Sequence, residues 1–395
     1  MLIRCLTYAL LLVRATAALT TDKNSESLTE LENLIEQAGS TQENILDDRA
    51  TGAKKRGEAC TRDNLTVRRP WGSLSKNERK AYTDAVLCLQ SLPAKTPASV
   101  APGAKSRYDD FVATHILQTP YIHYTGTFLA WHRWFLYNYE QALKNECGYK
   151  GSQPYWNWAL YANNPAASPI FDGSAYSMSG NGEYIAKKGP IILTLGDFAP
   201  VYLPAGTGGG CVTSGPFKRM KVNLGPVSLP LNNGSVLTGT GLEYNPRCLT
   251  RDISAGVNSA YANATSVVNL ILNNKNVGDF QMVMQGVPGS GSIGVHGGGH
   301  YTIGGNPADD VFVSPGEPVF YLHHGMIDLV WWTWQALDYK NRRDAVSGTG
   351  TFLNSPPSPD TTLDDIIDLG YAGGGPITMR ELMSVHDGPF CYMYI

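Results

Sequence analysis

Seven of the eight histidines in this chain fall in two windows, and both windows hold aromatic stretches with helical spacing. His115, His123 and His132 make the first group. His296 and His300, then the adjacent His323 and His324, make the second; only His386 stands apart. A lone histidine is usually a satisfied core or surface residue. Two groups of them, each set among aromatic helices, call for a fold that brings imidazoles together.

The helical pattern around them is direct. "SRYDDFVATHIL" opens with a capping box, Ser106 to Asp109, and puts Tyr108, Phe111, Val112 and His115 on one face. "FLAWHRWFLYNYEQALKN" carries His132 near its start and an apolar stripe of Phe128, Trp131, Phe135, Tyr139 and Leu143. In "EPVFYLHHGMIDLVWWTWQALDY", Pro318 sits near the start and Phe320, His324, Asp328 and Trp331 share a face. "SKNERKAYTDAVLCLQSL" is a further helix, boxed by Ser75 and Glu78. Residues 160–255 differ. They are rich in Gly, Pro, Asn and Ser and read as irregular loops with minor strands. The expected fold is one mainly α domain over 57–395, with a four-helix bundle core, long irregular loops and minor β-strands.

"VHGGGHYTIGG" (295–305) sets His296 and His300 at helical spacing but fills the gap with glycine. Each glycine costs a helix about 1 kcal/mol relative to alanine. The expectation is a turn held by metal bonds and scaffold, since it would not form alone.

The donor set narrows the metal. Imidazole suits zinc, copper, iron and nickel. A di-iron bundle site needs Glu and Glu-x-x-His pairs, which do not accompany these histidines. A zinc protease needs His-Glu-x-x-His, and Gly297 stands where that Glu belongs. Sites of neutral imidazole alone, two of them facing each other, suit a copper pair that binds dioxygen. A net charge of −3 and only 16% charged residues give no reason to expect a nucleic-acid partner.

"FLAWHRWFLYNYEQAL", "PYWNWAL", "SPGEPVFYLHHGMIDLVWWTWQ" and the terminal "CYMYI" resemble the tyrosinase and catechol oxidase family of binuclear type-3 copper proteins, most of all its short secreted fungal form. The resemblance implies a four-helix bundle core holding two copper ions. His115, His123 and His132 would hold one, and His296, His300 and His324 the other; His323 would be a neighbour. Phe320 would pack between the sites. Asp328, a helical turn beyond His324, would accept the imidazole's free N–H. In the Tyr-x-Tyr signature, Tyr392 and Tyr394 would meet Arg68 or Arg69, with no C-terminal lid domain beyond.

The resemblance also implies activity: oxidation of o-diphenols to o-quinones, with O₂ reduced to water. Strongly phenol-hydroxylating members carry an Asn after the first ligand of the second copper and a Glu upstream, which together hold a basic water. Gly297 and Gln285 stand at those positions, and an amide has no usable basic site. Gly297 reads instead as an opening for the substrate ring. The expectation is a catechol oxidase with weak monophenol turnover. The alternatives are o-aminophenol oxidation, tyrosinase action on small phenols, a haemocyanin-like oxygen carrier, or a binding module with structural zinc. Many fungal relatives bond a Cys to the second histidine of the first site; Pro120-Tyr121-Ile122 precedes His123, so no such crosslink is expected.

The N-terminus reads as a secretion signal over 1–17: Arg4, the apolar run "LTYALLLV" and the small-residue site "ATA". Residues 18–56 read as a pro-segment or flexible leader ending in Lys54-Lys55-Arg56, the only place from which latency would come. Six cysteines follow the signal and imply three disulfides in an extracellular protein. They allow fifteen pairings; the set taken forward is Cys60–Cys391, Cys88–Cys147 and Cys211–Cys248. Asn64, Asn233 and Asn263 open N-glycosylation sequons. Oligomeric state is left open.

Overall fold

The computed structural model describes residues 2–51, 60–186, 188–228 and 239–395; in its first helix, side chains are described from 24 to 48. The Lys54-Lys55-Arg56 triplet and the sequon at Asn233 lie outside the described residues, as do the side chains of the signal. Among the described residues, nine helices position the site: α1 (Leu2–Thr51), α2 (Lys76–Ser91), α3 (Arg107–Ile122), α4 (Phe128–Cys147), α5 (Ala255–Tyr261), α6 (Ala264–Asn273), α7 (Val277–Gln285), α8 (Gly294–Ile303) and α9 (Phe320–Ala336).

The local signals set the boundaries. Both capping boxes form, at Ser75–Glu78 and Ser106–Asp109. Asn263 and Asn276 cap α6 and α7, their side chains accepting from Ser266 N and Asp279 N. Glu317 braces the turn before α9: Oε1 accepts from Val319 N at 3.0 Å while Arg251 Nε donates to Oε2 at 3.0 Å. α3, α4 and α9 meet at an aromatic knot. Tyr139 stacks on Tyr321 with centroids 3.4 Å apart, and Phe111 sets its edge against Phe135 and Tyr139.

The middle is loop-rich, as expected. Gly182–Tyr184 pairs with Gly209–Val212, Ile191–Leu193 with Val201–Leu203, and Lys221–Val222 with Arg247–Cys248, each a two-stranded ribbon. The six described disulfide cysteines pair as Cys60–Cys391, Cys88–Cys147 and Cys211–Cys248, so among the described side chains no thiol is left for a crosslink to His123.

The chain ends close on each other. Strand Thr66–Arg68 pairs in parallel with Tyr392–Tyr394. It is Arg68 that meets the tyrosines, its guanidinium 3.7 Å over the Tyr392 ring; Arg69 goes to Glu78.

The leader is not a flexible arm over its described part. Residues 24–48 continue α1 and dock on α6, α9 and the Tyr392–Tyr394 strand. Leu31, Leu34, Ala38 and Leu46, spaced three, four and eight apart, are buried there. Gln42 fixes the register: its Nε2 donates to Tyr392 O at 2.9 Å and its Oε1 accepts from Trp332 Nε1 at 2.7 Å. This helical stripe outweighs the polar composition that suggested disorder. Among the described residues, no helix is long and apolar enough to cross a membrane.

α8 is a regular helix despite "HGGGH", and its glycines have packing reasons. A Cβ on Gly298 would stand 2.9 Å from Tyr261 Cβ, so this glycine lets α5 approach. A Cβ on Gly299 would stand 2.2 Å from two atoms of the His323 ring. Close packing recovers what glycine loses in propensity.

Candidate metal centre

Two triads of buried imidazoles face each other at the centre of the bundle. His115 and His123 come from the middle and end of α3, and His132 from the first turns of α4. Their ring centroids are 5.1–5.8 Å apart. His296 and His300 come from successive turns of α8 and His324 from α9, with centroids 4.8–5.5 Å apart. Across the gap His132 stacks on His324 at 4.5 Å, and His123 lies 5.9 Å from His296. Phe320 sits between the sets, 5.6 Å from His115 and 4.2 Å from His324.

The protonation chemistry favours metal ligation. Nδ1 of His115, His123 and His132 lies 2.8, 3.1 and 2.8 Å from the carbonyls of Phe312, Thr119 and Phe128. A carbonyl only accepts, so each Nδ1 carries the proton and each Nε2 is left with its lone pair. The buried Nε2 atoms of His115, His132, His296 and His324 have no hydrogen-bond partner. Burial pushes every ligand pKa down, to about 4 for His123 and about 3 for His300, so the rings are neutral at neutral pH. Clustered, neutral imidazoles with orphaned nitrogens are what a pair of borderline metal ions would satisfy.

The segment after α8 serves both triads. The Phe312 carbonyl holds His115, and the Ala308 carbonyl hydrogen-bonds the His300 ring. Asp310 braces the segment, accepting from Val227 N, Ser228 N and Phe312 N.

His323 is close enough to count with the second triad. Chemistry sets it apart. Its Nδ1 accepts the Trp158 indole N–H at 3.1 Å. A neutral ring that accepts at Nδ1 carries its proton on Nε2, which leaves no lone pair for a metal there.

Asp328 does not hold His324, contrary to the sequence expectation. His324 Nδ1 has no partner, and the carboxylate is fully engaged elsewhere. Arg133 Nε donates to Oδ1 at 2.6 Å; Tyr392 and Tyr394 hydroxyls each donate to Oδ2 at 2.6 Å; Arg68 lies 3.4 Å from Oδ2. Two guanidinium groups outcompete one imidazole N–H for a carboxylate. Asp328 therefore ties α9, the helix of His324, to α4 and both chain ends.

Gln285 also has a different task from the one its position suggested. Its Oε1 accepts from Tyr124 N at 2.7 Å, and its Nε2 donates to Gln281 O at 3.2 Å. The Tyr124 hydroxyl returns a bond to Gln285 O at 2.8 Å. The clamp secures the residue after His123, where the backbone takes a positive φ of 51°. Asn263 uses its Nδ2 to hold Ser259 O at 2.7 Å, and Asn64 is exposed.

A cavity of about 470 Å³ opens onto the centre through His123, His296 and His300, with Gly297 and Gln285 in its wall. Its other lining is mostly apolar, including Leu195, Phe198, Ile293 and Phe352. Sequence reasoning missed three residues here. Trp158 and Tyr124 carried no pattern. Asp309 stood in plain view as one of two adjacent acids in an apolar loop between ligands.

Comparison with known proteins gives a consistent picture. The model of the common central domain of tyrosinase matches residues 105–337. "Tyrosinase P" of Aspergillus terreus is 40% identical over 333 residues, covering 84% of this chain and 92% of that protein. An N-acetyl-6-hydroxytryptophan oxidase of Emericella nidulans is 40% identical over 357 residues, covering 85% and 94%. Among solved structures, a glycine-to-asparagine mutant of a polyphenol oxidase from Thermothelomyces thermophila is 48% identical with a TM-score of 0.87, covering 93% of this chain and 98% of that one.

Proposed function

The chain belongs to the tyrosinase family of binuclear copper oxidases, and on that basis we propose that it is a secreted catechol oxidase with weak monophenol turnover. The family makes it an oxidoreductase acting on phenols with O₂. His115, His123 and His132 would hold one copper, and His296, His300 and His324 the other. When bound, the copper pair supplies dioxygen binding and the electron sink by which two catechols become two o-quinones and O₂ becomes two waters.

The chain's own residues do the rest. Backbone carbonyls fix three of the imidazoles in the tautomer that points Nε2 inward. The apolar cavity seats a ring beside His123, His296 and His300 and limits water around it.

The preference for catechols rests on one observation: among the described residues, no free base lines the cavity. Both ends of the Gln285 amide are occupied. Gly297 offers no side chain. Among the described lining residues Asp309 is the sole carboxyl, and burial, aided by Asp310, pushes its pKa well up, which disfavours the carboxylate form a base needs. General-base assistance is typically worth ~10²–10⁴ in rate. A monophenol must lose its proton at the site; a catechol is more acidic and needs only electron transfer. An open cavity argues against an oxygen carrier, which has no need of one. Three disulfides and the apolar N-terminal run support secretion.

The test compares initial rates on tyrosine and on its catechol counterpart, in wild type and in a Gly297→Asn, Gln285→Glu double variant. Wild type should strongly favour the catechol, and the variant should gain on tyrosine. Comparable wild-type rates, or no gain in a variant that keeps both coppers, would remove the basis for the preference.

A further inference from the structure

The cavity is larger than one phenol ring requires. Its volume is about 470 Å³, about three times the ~150 Å³ of an apolar cavity that takes up benzene. The histidines line only part of it. Beyond them, two chain segments supply apolar walls. The hairpin of Ile191–Leu193 and Val201–Leu203 contributes Ile192, Leu193, Leu195 and Phe198. The loop between α7 and α8 contributes Val287 and Ile293. Phe198 is open to an incoming ligand, since it is 46% exposed and its ring lines the cavity. The Cδ1 edge of that ring lies against Gly289, where an added Cβ would stand 3.0 Å away. Hairpin tip and loop therefore touch where the cavity reaches the surface. The base of the hairpin is fixed relative to the centre. Ile191 and Leu203, paired across the two strands, are buried with Val257 of α5 and Ile293. Ile293 directly precedes α8, the helix of His296 and His300. Among the described residues no Lys or Arg lines the cavity, and Asp309, its sole carboxyl, is buried. A charged tail inside would lose water and find no partner, whereas an apolar ring would gain by burial.

We propose that Phe198 and its hairpin form a second subsite, which takes an apolar ring joined to the catechol seated at the histidines. The preferred substrates are then neutral o-diphenols of two rings. The reading rests on the proposed phenol oxidation at the neighbouring centre, because that reaction fixes where the first ring sits. The Phe198 side chain offers the second ring an aromatic partner, which adds to the gain from burial. A single-ring catechol leaves this subsite empty.

The experiment uses the copper-loaded full chain and three catechols alike but for the group at carbon 4: methyl, phenyl and 2-carboxyethyl. In wild type, KM should be lowest for the phenyl compound. Phe198→Ala should lower the phenyl-to-methyl ratio of kcat/KM by about ten-fold, the worth of an aromatic pair and its burial. Phe198→Tyr keeps the ring and should keep that ratio within about two-fold. A wild-type KM no lower for the phenyl compound than for the other two would overturn the proposal. So would an unchanged ratio in Phe198→Ala, since a merely structural residue would act on both substrates alike, or an equal loss in Phe198→Tyr. Should the alanine variant fail to fold, calorimetry on wild type decides with probes that are not oxidised. Biphenyl-4-carboxamide should bind about ten-fold more tightly than benzamide, and equal affinities would refute the assignment. Absence of turnover on all three catechols in a two-copper protein would instead count against the oxidase reading, and the calorimetric comparison would still judge the subsite.

Discussion

Gly299→Ala sets two elementary effects against each other. Helix propensity alone favours alanine by about 1 kcal/mol inside α8. Packing opposes it. The new Cβ would lie 2.2 Å from Cε1 and Nδ1 of His323, where ordinary contact is about 3.5–4.0 Å. The ring cannot swing away freely, because it is fully buried and held at Nδ1 by the Trp158 indole. Relief needs α8 or the ring to move by more than about 1 Å, judged against that contact distance. Overpacking of this kind costs about 1–3 kcal/mol. Breaking the Trp158 bond leaves a buried N–H unpaired, for about 1–3 more. After subtracting the propensity gain, net destabilisation is about 1–5 kcal/mol. The shift falls on the helix carrying His296 and His300, so copper affinity at the second site should fall as well. Thermal denaturation and metal analysis of purified protein read both effects. A variant as stable as wild type that retains both coppers would refute the packing account of the glycines.

Two further outcomes follow from the buried network and the docked leader. Burial raises the Asp328 carboxyl pKa, but Arg133 and Arg68, with both tyrosine hydroxyls, overcome it and hold the net value below 3.8. Its contribution to stability is present above the unfolded pKa and lost as pH falls through the lower folded value. Asp328→Asn should destabilise by about 3–5 kcal/mol near neutrality, since it leaves the buried Arg133 guanidinium without a carboxylate, while Arg68 keeps Glu140. The gap from wild type should close in melts below about pH 3.8, and a gap independent of pH would contradict this. Gln42→Ala should cost about 1–3 kcal/mol by leaving the buried Trp332 N–H unpaired. Because no described leader residue lines the cavity, KM for catechol should stay unchanged; a leader-dependent KM would show that α1 acts on the site.

Much of the centre was legible because its chemistry is local. His115 and His132 share helices with the aromatic stripes that bury them, and capping boxes mark the helix starts. Long-range pairing was harder to read. Asp328 lies one turn from His324, so sequence spacing proposed a bond between them. The partners that won, Arg68, Arg133 and the pair Tyr392 and Tyr394, arrive from three places along the chain. Gln285 occupied the expected position, yet its amide was already engaged by Tyr124, which no periodicity announces. The docking of α1 was not legible because its polar faces dominate the composition, while the buried stripe of Leu31, Leu34 and Ala38 is narrow. The glycines of α8 were taken as a weak helix needing metal support; their partners, Tyr261 and His323, are distant in sequence.

The central claim is that six histidines hold the metal pair and that His324, not its neighbour, completes the second triad. Copper per chain in folded wild type, His324→Ala and His323→Ala tests it most directly. The tautomer set by Trp158 predicts two, one and two. Loss of a copper in His323→Ala, with both retained in His324→Ala, would contradict it.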